Sequence, residues 1–181
     1  MTKYFGTDGL RGDAGGSLTV EMALKVGSYL GFKHQGEKIV VGQDTRISSN
    51  MFASAIAAGA SAMGADVYLL GTCATPALAY IVKHNGFAGG VMISASHNPF
   101  YDNGLKVFSA DGSKISASLE DEIESYIDGN VSIKDAKGEN IGRVIDYQYA
   151  MQEYIDHVMD LIDVKFDGLK IVLDVANGSA V

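Results

Sequence analysis

The sequence predicts an α/β fold, a mostly parallel mixed sheet with helices on both faces, followed by the start of a second α/β unit. Three observations carry that prediction. Short apolar runs and amphipathic stretches alternate in the order β-α-β-α-β. The run Val91-Met92-Ile93 has glycine before it and serine after it, as a buried strand entering a loop does. A polar, glycine-containing stretch without period, Gly129 to Gly142, then separates this pattern from a new helix and strand.

Taken in order, the first twelve residues are glycine-rich and read as a turn or short hairpin. Val20, Ala23, Leu24, Gly27 and Leu30 form one helical stripe, and Ile39-Val40-Val41 a strand ending at Gly42. A second helix, capped by Ser48 or Ser49, carries Phe52, Ala55, Ile56, Gly59, Ala60 and Met63 on one face. Asp66 to Leu70 is the next strand, and Pro76 opens a helix to about His84, a favoured place for proline. After the 94–104 loop, Leu105 to Phe108 read as a strand, Ala110-Asp111-Gly112 as a hairpin turn, and Ser118 to Asp128 as an acidic helix. A helix from about Tyr147 to Leu161 and a strand Ile171-Val172-Leu173 begin the second unit. The expected division is therefore 1–140 and 141–181, the latter incomplete.

A net charge of −8 argues against nucleic acid or an anionic membrane as partner, because both demand a basic face. Cys73 is the only cysteine, which excludes an intrachain disulfide and a thiolate metal cluster. Met1-Thr2-Lys3-Tyr4-Phe5-Gly6 reads as no signal sequence, and a cytoplasmic location is expected. His34, His84 and His157 have no motif around them and read as surface residues, and Cys73 as a packing residue.

Chemistry concentrates in the loops. Ser94-Ala95-Ser96-His97-Asn98-Pro99 follows a buried parallel strand, where ligands collect in open α/β sheets. There Ser96 offers a nucleophile, and His97 and Asn98 offer hydrogen bonds; an ordinary polar loop fits the spacing equally well. Gly6-Thr7-Asp8-Gly9-Leu10-Arg11-Gly12 combines backbone amides with a guanidinium suited to phosphate. Gly42-Gln43-Asp44-Thr45-Arg46-Ile47-Ser48 lies before a helix N-terminus, which favours an anion or is plain capping. Asp102-Asn103-Gly104-Leu105-Lys106 brings a lysine close behind the serine loop, as an acid or base or as a solvated edge residue.

These segments, Phe5–Gly12, Gly42–Arg46 and Ser94–Lys106, resemble the alpha-D-phosphohexomutase family. The phenylalanine opening and Ile93-Ser94-Ala95-Ser96 resemble its bacterial phosphoglucosamine mutase branch, and the similarity continues through Gly168-Leu169-Lys170 and Ala176-Asn177-Gly178. Val20 departs from the proline common in relatives at that helix start. The resemblance implies a cytoplasmic enzyme that interconverts glucosamine 6-phosphate and glucosamine 1-phosphate for UDP-N-acetylglucosamine and cell-wall synthesis. Its phosphoserine would be Ser96, and glucosamine 1,6-bisphosphate its intermediate and activator. Mg²⁺ would be held by the Ser96 phosphate and by three aspartates of an Asp-Gly-Asp-type loop that is not in this sequence. The expected catalytic residues are Ser96, Lys106, His97 and Arg11, with Thr7, Asp8, Arg46, Asn98 and Asn103 binding the substrate. Expected partners are a phosphorylated amino sugar and a second copy of the full-length enzyme; the 181-residue chain alone is expected to be inactive. Three alternatives stay open: a phosphoglucomutase or phosphomannomutase of the same family, a non-catalytic phosphosugar-binding domain, and a serine hydrolase. The last lacks a Gly-x-Ser-x-Gly elbow around Ser96.

Overall fold

A computed structural model describes residues 3–180; the expectations that touch Met1, Thr2 and Val181 lie outside the described residues. The chain forms β1 (Phe5–Gly6), β2 (Gly9–Asp13), α1 (Val20–Lys33), β3 (Lys38–Gln43), α2 (Ser49–Ala62), β4 (Asp66–Thr72) and α3 (Thr75–His84). It continues with β5 (Gly89–Ile93), β6 (Asp102–Ser109), α4 (Ala117–Ile127), β7 (Val144–Asp146) and α5 (Met151–Asp160). One seven-stranded sheet runs in the order β1-β2-β6-β5-β3-β4-β7. The central strands β5, β3 and β4 are parallel, whereas β6, β2 and β1 add on antiparallel at one side.

Side chains along a strand alternate between the faces, and the buried positions sort accordingly. Ile39 and Val41 of β3, Val91 and Ile93 of β5, and Leu105 and Val107 of β6 join a core shared with α1, α2 and α4. Val40, Met92 and Leu70 face the opposite way, into a smaller core with Leu78, Ile81 and Val82 of α3. Helices therefore cover both faces, and parallel strands buried on both sides read as unbroken apolar runs. Thr19 caps α1, its Oγ accepting the Met22 N–H at 3.2 Å, and Pro76 stands in the first turn of α3. Helices α1 and α2 approach so closely that a Cβ on Gly59 would lie 2.3 Å from the Leu24 carbonyl oxygen.

Two local expectations differ from the structure. Neither Ser48 nor Ser49 caps α2 with its side chain, because both hydroxyls are engaged by Asn103 beside the serine loop. Residues 171–173 form no strand: they are exposed, and without a neighbouring strand their N–H and C=O groups have no ladder to join. Residues 144–160 extend the first sheet, with β7 pairing parallel to β4 and Tyr154 of α5 packing on Tyr80 of α3. Of the histidines expected at the surface, His84 is exposed, while His34 and His157 are half-buried. His34 contacts Glu37 at 3.0 Å, and His157 stacks on Tyr80 at 4.4 Å. Cys73 is fully buried, and burial pushes its thiol up to about 12, so it is an inert packing group.

Candidate active site

The carboxyl end of β5 runs directly into the serine loop. Ser94 N–H still donates to Gly104 O at 2.9 Å, but the chain then turns and Ser96 takes φ 58°, left-handed backbone that a serine rarely adopts. Such conformations cluster at functional sites, where the surroundings hold them in place. The Ser94 hydroxyl helps by accepting the Ser96 N–H at 3.1 Å. Ser96 and His97 are exposed, and Ser96 Oγ lies 3.3 Å from His97 Nδ1. Among the described residues no carboxylate hydrogen-bonds His97, so the orienting group of a hydrolase triad is missing.

Strand pairing brings two cations to the same region. Arg11 stands opposite Gly104 in the β2–β6 ladder, and Lys106 lies two residues further on the same face of β6. Lys106 is in turn opposite Met92, two residues before Ser94. This close fit requires glycine at 104, since a Cβ there would lie 2.7 Å from Ser94 O and 3.0 Å from Arg11 Cγ. Arg11 Nη2 pairs with Asp8 Oδ2 at 2.8 Å, the one side-chain bond of its guanidinium among the described residues, so other N–H donors remain uncommitted. Thr7, Asp8 and Arg11 line an open pocket of about 310 Å³. Asp8 and Lys106 line a neighbouring one of about 200 Å³, together with Thr75, Lys114 and Glu120.

Arg46, Asn98 and Asn103 are placed differently. The Asn103 side chain is fully buried, donating to the Ser48 and Ser49 hydroxyls at 2.9 and 3.0 Å and accepting the Gly104 N–H at 2.8 Å. Asn98 Nδ2 donates to Asp102 Oδ2 at 2.9 Å. The Arg46 guanidinium turns toward backbone carbonyls of the serine loop and toward Asp44. Asp44 Oδ1 also accepts the Arg46 N–H and the Ser49 hydroxyl, so the protein's own carboxylate sits beside the α2 N-terminus, where an anion was expected. Among the described residues no group of three or more His, Cys, Asp or Glu side chains could hold a metal. A hydroxyl and an imidazole do not make an oxygen cage for Mg²⁺, so this chain does not fit a magnesium site by itself. No helix among the described residues is long and apolar enough to cross a membrane.

Residues 2–134 match the family model described as phosphoglucomutase/phosphomannomutase, alpha/beta/alpha domain I. The chain belongs to this family. A phosphoglucosamine mutase of Lachnoclostridium phytofermentans is 51% identical over 184 residues, covering 99% of this chain and 41% of that protein. One from Staphylococcus epidermidis is 48% identical over 186 residues, with the same coverage of 99% and 41%. The chain thus spans about two-fifths of the length of these relatives, corresponding to their N-terminal part. Among solved structures, a phosphoglucomutase/phosphomannomutase family protein of Burkholderia thailandensis shares the fold with a TM-score of 0.72 at 23% identity. That match covers 91% of this chain and 36% of the other.

Two features of the site escaped sequence reasoning. Gly104 was read as the end of the 94–104 loop, but it lies within β6, where a Cβ would crowd Ser94 O and the Arg11 side chain. The acidic helix α4 looked like a domain closure, yet its Glu124 holds the N-terminal segment: Oε2 accepts the Lys3 N–H, and Oε1 those of Tyr4 and Phe5. The available signal was a glutamate beside Ile123 and Ile127 on the buried stripe of the acidic helix.

Proposed function

We propose that this chain is the serine-bearing part of a phosphosugar mutase that interconverts glucosamine 6-phosphate and glucosamine 1-phosphate. The observation that carries the proposal is the strained, exposed Ser96 at the end of β5, with Arg11 and Lys106 on adjoining strands. Phosphoryl transfer asks for positioning and charge neutralisation, and this arrangement supplies both.

In the proposed reaction the Ser96 phosphate is attacked by a hydroxyl oxygen of the bound sugar phosphate. A sugar O–P bond forms as the bond to Ser96 Oγ breaks, and Lys106 takes the hydroxyl proton and passes it to the freed Ser96 Oγ. The product is the 1,6-bisphosphate. After the sugar reorients, Ser96 Oγ attacks its other phosphate, and Lys106 takes the Ser96 hydroxyl proton and gives it to the sugar oxygen released. Arg11 offsets the phosphoserine charge of about −1.5 to −2, and His97 hydrogen-bonds beside it. Thr7 and Asp8 border the pocket in front of Arg11 and meet the substrate.

Magnesium belongs to the proposal only as an ion to which the Ser96 phosphate contributes one oxygen, the other ligands coming from outside these 181 residues. The same holds for a catalytic-serine domain over 1–140, a second domain begun by 141–181, a cytoplasmic location and supply of UDP-N-acetylglucosamine for the cell wall. The test is a mutase assay of the full-length protein with glucosamine, glucose and mannose phosphates, comparing wild type, Ser96→Ala and Ser94→Ala. The proposal expects preference for the amino sugar, no turnover for Ser96→Ala, and substantial turnover for Ser94→Ala. Near-wild-type turnover by Ser96→Ala would sink it.

A further inference from the structure

We infer that Arg46 is a positioning residue for the serine loop, holding its backbone in the shape that presents Ser96, and that it does not bind the substrate phosphate; this rests on the mutase reading. The guanidinium makes five hydrogen bonds. Nε donates to Asp44 Oδ2 at 3.0 Å, Nη1 to the carbonyls of Pro99 and Asp102, and Nη2 to those of Ser96 and Asn98. Three of these carbonyl bonds measure 2.9 Å. A guanidinium has five N–H donors, so Arg46 has none left for an anion. Arg11 is the opposite case: among the described residues its guanidinium makes one side-chain hydrogen bond, from Nη2 to Asp8.

Charge and burial agree with that accounting. The Arg46 side chain is only 10% exposed, and its charge is already met by the Asp44 carboxylate. A phosphate could recruit it only by breaking bonds to the loop that carries the phosphoserine. The support behind it is layered: Asp44 is held by the Ser49 hydroxyl, and Ser49 by Asn103 of β6. The loop has few bonds of its own between residues 95 and 102, chiefly Asn98 N–H to Ala95 O and Asp102 N–H to Pro99 O. One planar fork touching four carbonyls of the loop therefore fixes the left-handed Ser96. Lysine, a point charge with three donors in tetrahedral array, does not reproduce that fork.

The test uses the full-length protein as wild type, Arg46→Ala and Arg46→Lys, with amide hydrogen exchange and steady-state kinetics. Both variants are expected to speed exchange at the Asn98 and Asp102 amides by about tenfold or more while β3 and β5 stay protected. Both should lower kcat by about 100-fold with KM little changed, as small misplacements of reacting groups do. Restored loop protection and kcat in Arg46→Lys would overturn the inference, since charge alone would then suffice. So would unchanged loop exchange, or a rise confined to KM, which would make Arg46 a substrate ligand. Should Arg46→Ala lose protection throughout, Arg46→Lys decides, and global loss there too would contradict a role confined to the loop. If wild type shows no mutase turnover, the functional reading fails while the exchange result still decides the role of Arg46.

Discussion

Glu124 of α4 accepts the backbone N–H of Phe5 at 2.7 Å, joining residues 119 positions apart in the chain. With the Lys3 and Tyr4 N–H groups on the same carboxylate, α4 anchors the segment leading into Thr7, Asp8 and Arg11. Lys114 adds a second anchor. Its Nζ donates to Thr7 O at 2.9 Å and lies 2.8 Å from the buried Glu120 Oε1, an ion pair close in distance but without hydrogen-bond alignment. The segment carrying Thr7, Asp8 and Arg11 is thus held by Glu124 of α4 and by Lys114, just before that helix.

Glu124→Gln should destabilise the protein by about 1–3 kcal/mol, because amide replaces a charged acceptor of three backbone donors. Burial pushes the Glu124 carboxyl up, but the N–H groups of Lys3, Phe5 and Tyr4 together hold it below the ordinary glutamate value of 4.5. A depressed carboxyl contributes stability that is complete above the unfolded value and lost as pH falls through the folded one. Urea melts of wild type at falling pH, starting above 4.5, should therefore lose stability more steeply than those of Glu124→Gln. Parallel pH profiles would show that the carboxylate carries no such role.

Gly59→Ala poses a contest between two effects. Alanine favours an exposed helix interior by about 1 kcal/mol, whereas overpacking costs about 1–3 kcal/mol. The new Cβ would sit 2.3 Å from Leu24 O and 2.8 Å from Ser28 N, backbone atoms that cannot swing aside. Thermal unfolding should show a net loss, and a raised Tm would mean that α1 and α2 separate cheaply.

The elements legible in the sequence were those written locally. Pro76 and the runs at 39–41 and 91–93 mark a helix start and two strands through their immediate neighbours. The edge strand Val144–Asp146 was not legible, because three residues, Val-Ile-Asp, make too short a run to show a period and gain their strand pairing from β4. In the candidate site, Ser96 and His97 are marked by residue type and loop position, and Arg11 and Lys106 by residue type beside the glycines of β2 and β6. The carbonyl partners of Arg46 and the backbone N–H partners of Glu124 are set by contacts across 50 to 121 positions, which local pattern does not encode.

Lys106→Ala in the full-length protein should lower kcat by about 10²–10⁴-fold, the usual contribution of general acid–base help. KM should change little, which separates a proton carrier from a ligand that binds ground and transition states alike. Arg11→Ala should instead reduce the fraction of protein carrying phosphate, measured by intact mass. A Lys106→Ala variant that raised KM alone would reassign Lys106 to phosphate binding.

The most direct test is to locate the phosphate itself. Full-length protein is incubated with glucosamine 1,6-bisphosphate and mapped by peptide mass spectrometry, then chased with glucosamine 6-phosphate. The account predicts phosphate on Ser96 alone, within the peptide that also contains Ser94, and its loss during the chase. Phosphate on Ser94 or elsewhere, or full turnover by a protein never phosphorylated at Ser96, would contradict it.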